Sequence, residues 1–201
     1  MKSRRFAGFN ILVLAAALGL ALPAGCGSGS RAILPPAIPA DAARKAIELY
    51  DTEKHGFLDA RALEQAPALR VAFPGAAQVT EADIAERFAA WKRQQIGRMQ
   101  FSVTVTHNGR PLRDATVRLV PESFLGEQFQ AATGTTDQAG AAQPTVPLTD
   151  AEDISGVPPG FYRVEITKAG ETIPAKYNSA TTLGLEVPPV EDHHWRFDLQ
   201  Y

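Results

Sequence analysis

The chain has 201 residues, room for one medium domain or two small ones at roughly 100–200 residues per domain, which argues against a large barrel or doubly wound enzyme core. Hydrophobic residues make up 45% and charged residues 21%, close to globular averages, so bulk disorder is excluded. Lys and Arg total 20 against 22 Asp and Glu, a formal charge of -2, and this balance predicts no nucleic-acid partner. The single cysteine, Cys26, rules out an internal disulfide and a thiolate metal cluster.

Lys2, Arg4 and Arg5 precede an apolar run of 12 residues at 11–22, followed by Pro23, Ala24, Gly25 and Cys26. A membrane-crossing helix needs ~20 apolar residues, so the pattern predicts a secretory signal peptide over residues 1–25 rather than a permanent span. Ala24-Gly25-Cys26 resembles the bacterial lipobox, in which the cysteine is diacylated and becomes the new N-terminus. Pro23 directly before Ala24, with Leu22 one place earlier than the family's leucine, departs from that pattern. The resemblance implies lipidation at Cys26, with the bilayer as a partner and the cell envelope, periplasmic or surface-facing, as the location. Stable anchoring takes about two acyl chains, which the diacylglycerol and N-acyl (palmitate-type) groups of that family supply. Residues 26–40 read as a lipidated flexible linker: Gly27-Ser28-Gly29-Ser30 is a tether, and Pro35, Pro36 and Pro39 stiffen the next stretch of chain toward extended geometry.

Residues 41–97 read as helical. Asp41 is placed to cap a helix whose Ala43, Ala46, Ile47 and Tyr50 form one apolar stripe. Residues 51–62 then align with a twelve-position calcium loop, which wants oxygen ligands at positions 1, 3 and 5, glycine at 6 and a bidentate glutamate at 12. Asp51, Glu53 and Gly56 fit. His55 stands at position 5 and Ala62 at position 12, so the strongest ligand is lacking, while Asp59 at position 9 is placed to cap the exiting helix, which carries Pro67. A second half is recognisable in residues 79–84, where Thr80 and Asp83 form a capping-box pair and Ile84, Phe88 and Trp91 line one face of a helix running to about Gln95. Nothing in residues 72–77 offers a cation ligand. The segment resembles a degenerate EF-hand pair, with Asp51, Glu53, His55 and Asp59 the residues a metal would meet; a helical spacer is the reading favoured over calcium binding.

From Phe101 the period changes from 3.6 to 2. Strands are predicted around 101–106, 115–120, 129–136, up to Val146, at 162–167, 183–187 and 195–199, with turns at His107-Asn108-Gly109 and Asp137-Gln138-Ala139-Gly140. Seven short strands in residues 98–201 match a mainly β, immunoglobulin-like sandwich. Residues 105–117, 134–140 and 157–166 together resemble the opening strands, central hairpin and Pro-Gly-x-Tyr-x-Val strand of the transthyretin-like, carboxypeptidase regulatory-like domain. The Ile-Pro-Ala-Lys-Tyr-Asn stretch at 173–178 resembles one found in bacterial lipoproteins of that kind. The resemblance implies a non-catalytic accessory module, not an enzyme.

Among remaining residues, adjacent His193 and His194 point to opposite faces of a strand and cannot chelate one ion without a bulge; His194, in phase with Arg196 and Asp198, reads as solvated. Asp150, Glu152 and Asp153 form an acidic loop. Lys176, Tyr177 and Asn178 have the composition of a recognition loop, against a structural loop with Tyr177 packed on the sandwich. Phe124 and Leu125 read as an exposed contact or a strand lead-in. No Gly-x-Ser-x-Gly or His-Glu-x-x-His motif occurs. The expectation is an anchored envelope lipoprotein presenting a sandwich to an unidentified protein or glycan. The alternatives are a calcium-responsive binding module and a transthyretin-like carrier or hydrolase, the last lacking the histidine-rich pocket it would need.

Overall fold

A computed structural model of the chain describes residues 33–148, 154–189 and 194–201. The segment read as a signal peptide, Cys26, the stretch 27–30 read as a tether, Asp150, Glu152, Asp153 and His193 lie outside the described residues. Helix α1 (Ala42–Tyr50) turns the predicted stripe, Ala43, Ala46 and Ile47, into the core. Asp41 stands at its N-cap without a side-chain cap bond; its carboxylate pairs instead with Arg44 and Lys45, each at 3.2 Å. Strand β1 (Phe57–Asp59) leads into α2 (Ala60–Gln65), where Asp59 caps as predicted, its Oδ1 accepting from the Ala62 amide at 2.8 Å. Pro67 cannot continue that helix, having no N–H to donate, but fits the first helical position; a new helix α3 (Pro67–Ala72) therefore starts there. Strand β2 (Gln78–Thr80) and helix α4 (Glu81–Gln94) come next, the helix opened by the reciprocal Thr80–Asp83 capping box. β1 and β2 pair antiparallel with Leu58 opposite Val79, both buried. The two loops are thus tied back to back, as in a paired EF-hand.

The second part is a sandwich. Its strands are β3 (Ser102–His107), β4 (Arg110–Pro111), β5 (Ala115–Pro121), β6 (Ala132–Thr135), β7 (Ala141–Ala142), β8 (Gly160–Lys168), β9 (Gly184–Val187) and β10 (His194–Leu199). One sheet runs β10-β3-β4 with β7 also paired to β3, and β10 lies parallel to β3. The other, β6-β5-β8-β9, is wholly antiparallel. Their inner faces bury Val103, Val105, Val117, Leu119, Val164, Ile166, Leu185 and Leu199. The fold is therefore mainly β, an immunoglobulin-like sandwich preceded by a small helical EF-hand-like segment. The described residues hold eight sandwich strands where seven were expected, because Arg110–Pro111, directly after the predicted turn at residues 107–109, pairs briefly with β3. Tyr162 is fully buried, and its hydroxyl donates to the Pro158 carbonyl at 2.9 Å, the tyrosine corner found at the start of one strand in such sandwiches.

Three expectations are corrected. Phe124 and Leu125 are neither an exposed contact nor a strand lead-in: they form a short 3-10 turn (Ser123–Leu125) and are buried in the core of the helical segment. The 183–187 strand does not alternate, since all four residues of β9 are buried; α3 and α4 cover its outer face. Residues 33–39 are not part of a free tether. They lie against the body, with Ile33 against Gly97, Ala37 accepting from Gln128, and Ile38 packed on the helical core.

Candidate functional site

The EF-hand-like loop keeps its shape by internal hydrogen bonds. Asp51 Oδ1 accepts from the His55 amide at 3.0 Å and Oδ2 from the Gly56 amide at 2.7 Å. Gly56 takes φ 81 there, a left-handed conformation glycine reaches without strain. Desolvation alone would raise the Asp51 pKa, but the amide bonds from His55 and Gly56 together outweigh it and hold the carboxyl below its ordinary range. The structure brings Glu53, His55 and Asp59 together, their ligand atoms all within 4.8 Å of one another. They line a groove of about 490 Å³ with Tyr50, Arg61 and Ala62.

Calcium needs six to eight oxygens, the bidentate position-12 carboxylate foremost, and this set does not supply them. Ala62 offers no side-chain oxygen. Glu53 Oε1 is held by Arg61 Nη1 at 2.8 Å, Asp59 Oδ1 is committed to the helix cap, and both Asp51 oxygens face the loop amides. The loop geometry is that of a cation site; the donor set is not.

Lys176, Tyr177 and Asn178 lie at a second 3-10 turn (Ala175–Tyr177). The buried Tyr177 hydroxyl donates to the Gln200 carbonyl at 3.2 Å and accepts from the Gln200 amide at 2.8 Å. Lys176 Nζ donates to the same carbonyl at 3.3 Å and sits 4.8 Å from the Tyr177 ring, while Asn178 donates to the Ile173 carbonyl. His107 stacks on Tyr201 with ring centroids 4.0 Å apart. These contacts hold Gln200 and Tyr201 against the sandwich.

The feature that sequence reading missed is the junction between helices and sandwich. Inward residues of β8, such as Tyr162 and Val164, fill the sandwich; its outward Phe161 enters the helical core, 4.7 Å from the Trp91 ring and 5.8 Å from that of Phe88. Phe161 lies opposite Glu186 on β9, and its carbonyl accepts from the Glu122 amide just beyond β5. An acid-phenylalanine-acid row thus crosses the sheet where the helices sit. Glu122 is 2% exposed and Glu186 6%. Glu122 Oε2 accepts from the Tyr50 hydroxyl at 2.7 Å, with Arg163 Nε 4.0 Å away. Glu186 Oε1 accepts from Trp91 Nε1 at 3.1 Å and from Arg87 Nη1 at 3.4 Å. Burial raises both carboxyl pKa values: at Glu122 it outweighs the Tyr50 hydrogen bond and Arg163, and at Glu186 it outweighs Arg87 and Trp91.

Two further surfaces stand out. A groove of about 480 Å³ lies between Leu34, Pro36 and Ile38 on one side and Ala85, Phe88 and Lys92 of α4 on the other, with Leu34 73% exposed. On the outer face of the first sheet, Thr104 pairs with the exposed His194 at 3.0 Å and Thr106 donates to Asp198 at 2.7 Å, a polar surface. No helix among the described residues is long and apolar enough to cross a membrane.

No protein-family model matches the chain, and no curated protein matches it. Among solved structures the chain is similar to the Bacillus anthracis TIE protein, at 15% identity and a TM-score of 0.36 over 52% of this chain. The match spans only 17% of that protein.

Proposed function

We propose that this is a lipid-anchored cell-envelope protein that presents a non-catalytic transthyretin-like, carboxypeptidase regulatory-like sandwich for protein or glycan contact. One observation carries the reading: the only cysteine directly follows Ala24-Gly25 at the end of a short apolar run with a basic start, where a lipobox cysteine belongs. Acylation there gives the sulfur and the new N-terminus enough hydrocarbon for stable membrane residence. Supporting it, the helical segment covers the outer face of the second sheet at β9, while the Thr104, Thr106, His194, Arg196 and Asp198 face of the first sheet stays available to hydroxyl-rich or polar partners. The calcium-responsive alternative has less support, because Arg61 holds Glu53 and Ala62 stands where the bidentate ligand belongs. The test is cell fractionation of the full chain and C26A. The parent partitions with membranes and C26A is lost from them; equal membrane partitioning of the two contradicts the proposal.

A further inference from the structure

We propose that the Glu122-Phe161-Glu186 row is a pH-responsive seam, at which two buried acids hold the helical segment on the sandwich when protonated and loosen it when ionised. Each acid belongs to the sandwich and takes a hydrogen bond from an aromatic side chain of the helices: Tyr50, the last residue of α1, for Glu122, and Trp91 of α4 for Glu186. Phe161, in the row between them, is enclosed by Trp91, Phe88 and Phe124. The row therefore sits on the surface that the two longest helices must leave if the segment opens.

Ionised Glu122 is poorly served, and ionised Glu186 relies on an arginine that it shares with other partners. The groups facing Glu122 are Tyr50 from α1 and Arg163 from β8. Glu122 Oε1 and Arg163 Nε are buried without a hydrogen-bond partner among the described residues. A buried charge with one hydrogen bond and a cation 4.0 Å distant does not recover its lost hydration. The groups facing Glu186 are Arg87 and Trp91 from α4. Arg87 also donates to the Ala72 carbonyl at 2.8 Å and lies over the Phe73 ring. A neutral carboxyl still accepts from Tyr50 or Trp91 through its carbonyl oxygen and sheds most of the desolvation penalty.

The sign is set by proton linkage. Both carboxyls bind protons more tightly in the closed state than when opened to water. The closed-to-open ratio is therefore highest in acid below the ordinary carboxylate range. It falls by up to tenfold per pH unit for each acid as pH rises toward the raised value, and is constant above it. Opening uncovers Phe161 and Phe124.

The test is hydrogen-exchange mass spectrometry on the full chain at pH 4 and pH 8, corrected for intrinsic exchange, with peptides of β5 and β8 as internal reference. In the parent, α1 and α4 lose more protection than the reference between the two conditions. In E122Q/E186Q, α1 and α4 keep the same protection at both. Equal losses in helices and sandwich, or an undiminished pH response in the double variant, overturn the proposal. If the double variant does not fold, E122Q alone serves: the pH response of α1 and α4 shrinks relative to the parent, and an unchanged response overturns the proposal equally.

Discussion

Replacing Gly184 with alanine tests the junction at its tightest point. A Cβ built on Gly184 lies 2.3 Å from the Ala68 nitrogen, 2.3 Å from the Pro67 carbonyl carbon and 2.7 Å from the Ala68 Cα. All three are backbone atoms of α3, so no side chain can swing aside. Carbon contacts are optimal at ≈ 3.5–4.0 Å, so α3 must retreat by about 1 Å. Its buried Ala68, Leu69 and Ala72 move with it, because a six-residue helix started by a proline has little freedom to shift in part. Overpacking of this kind costs about 1–3 kcal/mol, and a backbone obstacle puts the expected loss near 3 kcal/mol. The sign is diagnostic, since Gly→Ala at an unobstructed site of ordinary φ stabilises by about 0.4–1 kcal/mol through the unfolded chain. Urea unfolding followed by tryptophan fluorescence reads the loss, with T167A on the exposed face as a control within about 0.5 kcal/mol of the parent. A G184A variant as stable as the parent, or more so, refutes close seating of α3 on β9.

Three further outcomes are expected. Y162F leaves the Pro158 carbonyl without its buried donor and lowers unfolding stability by about 1–3 kcal/mol in the same denaturation assay; an unchanged midpoint contradicts the tyrosine corner. T80A breaks the capping box at the start of α4 and costs about 1 kcal/mol, read as a shift in the urea midpoint; no shift contradicts the cap. Titration calorimetry of the parent with calcium gives no heat at millimolar concentration, while R61A/A62E, which releases Glu53 and restores the position-12 carboxylate, binds calcium; micromolar binding by the parent shows that the native donor set suffices.

Local order was largely legible in the amino-acid sequence. The change of period at Phe101, the Thr80–Asp83 pair, Asp59 as a cap and the core stripe of Ile84, Phe88 and Trp91 all depend on neighbours within a few residues, and those interactions survive folding. Periodicity says which side of an element is apolar, not what covers it. Phe124, Leu125 and Phe161 are thirty or more residues from the helices they pack against, so nothing near them in the chain assigns them to the helical core. The same holds for Glu122 and Glu186: a glutamate beside a 3-10 turn or in a strand reads as solvated until Tyr50 or Trp91 is brought onto it from another element. In the EF-hand-like loop the ligand positions could be counted from Asp51, and Ala62 was visibly wrong. The capture of Glu53 by Arg61, eight residues on, required the three-dimensional turn. Prolines 35, 36 and 39 spoke for a stiff segment, but a stiff segment can be a tether or a strap, and contact with Gly97 and Gln128 makes it a strap.

Intact-mass spectrometry of the protein purified from its native membranes tests anchoring most directly. The account predicts a chain beginning at Cys26 and carrying thioether-linked diacylglycerol with an acylated amino group. A chain that retains residues before Cys26, or that carries an unmodified thiol and is recovered without detergent, contradicts it.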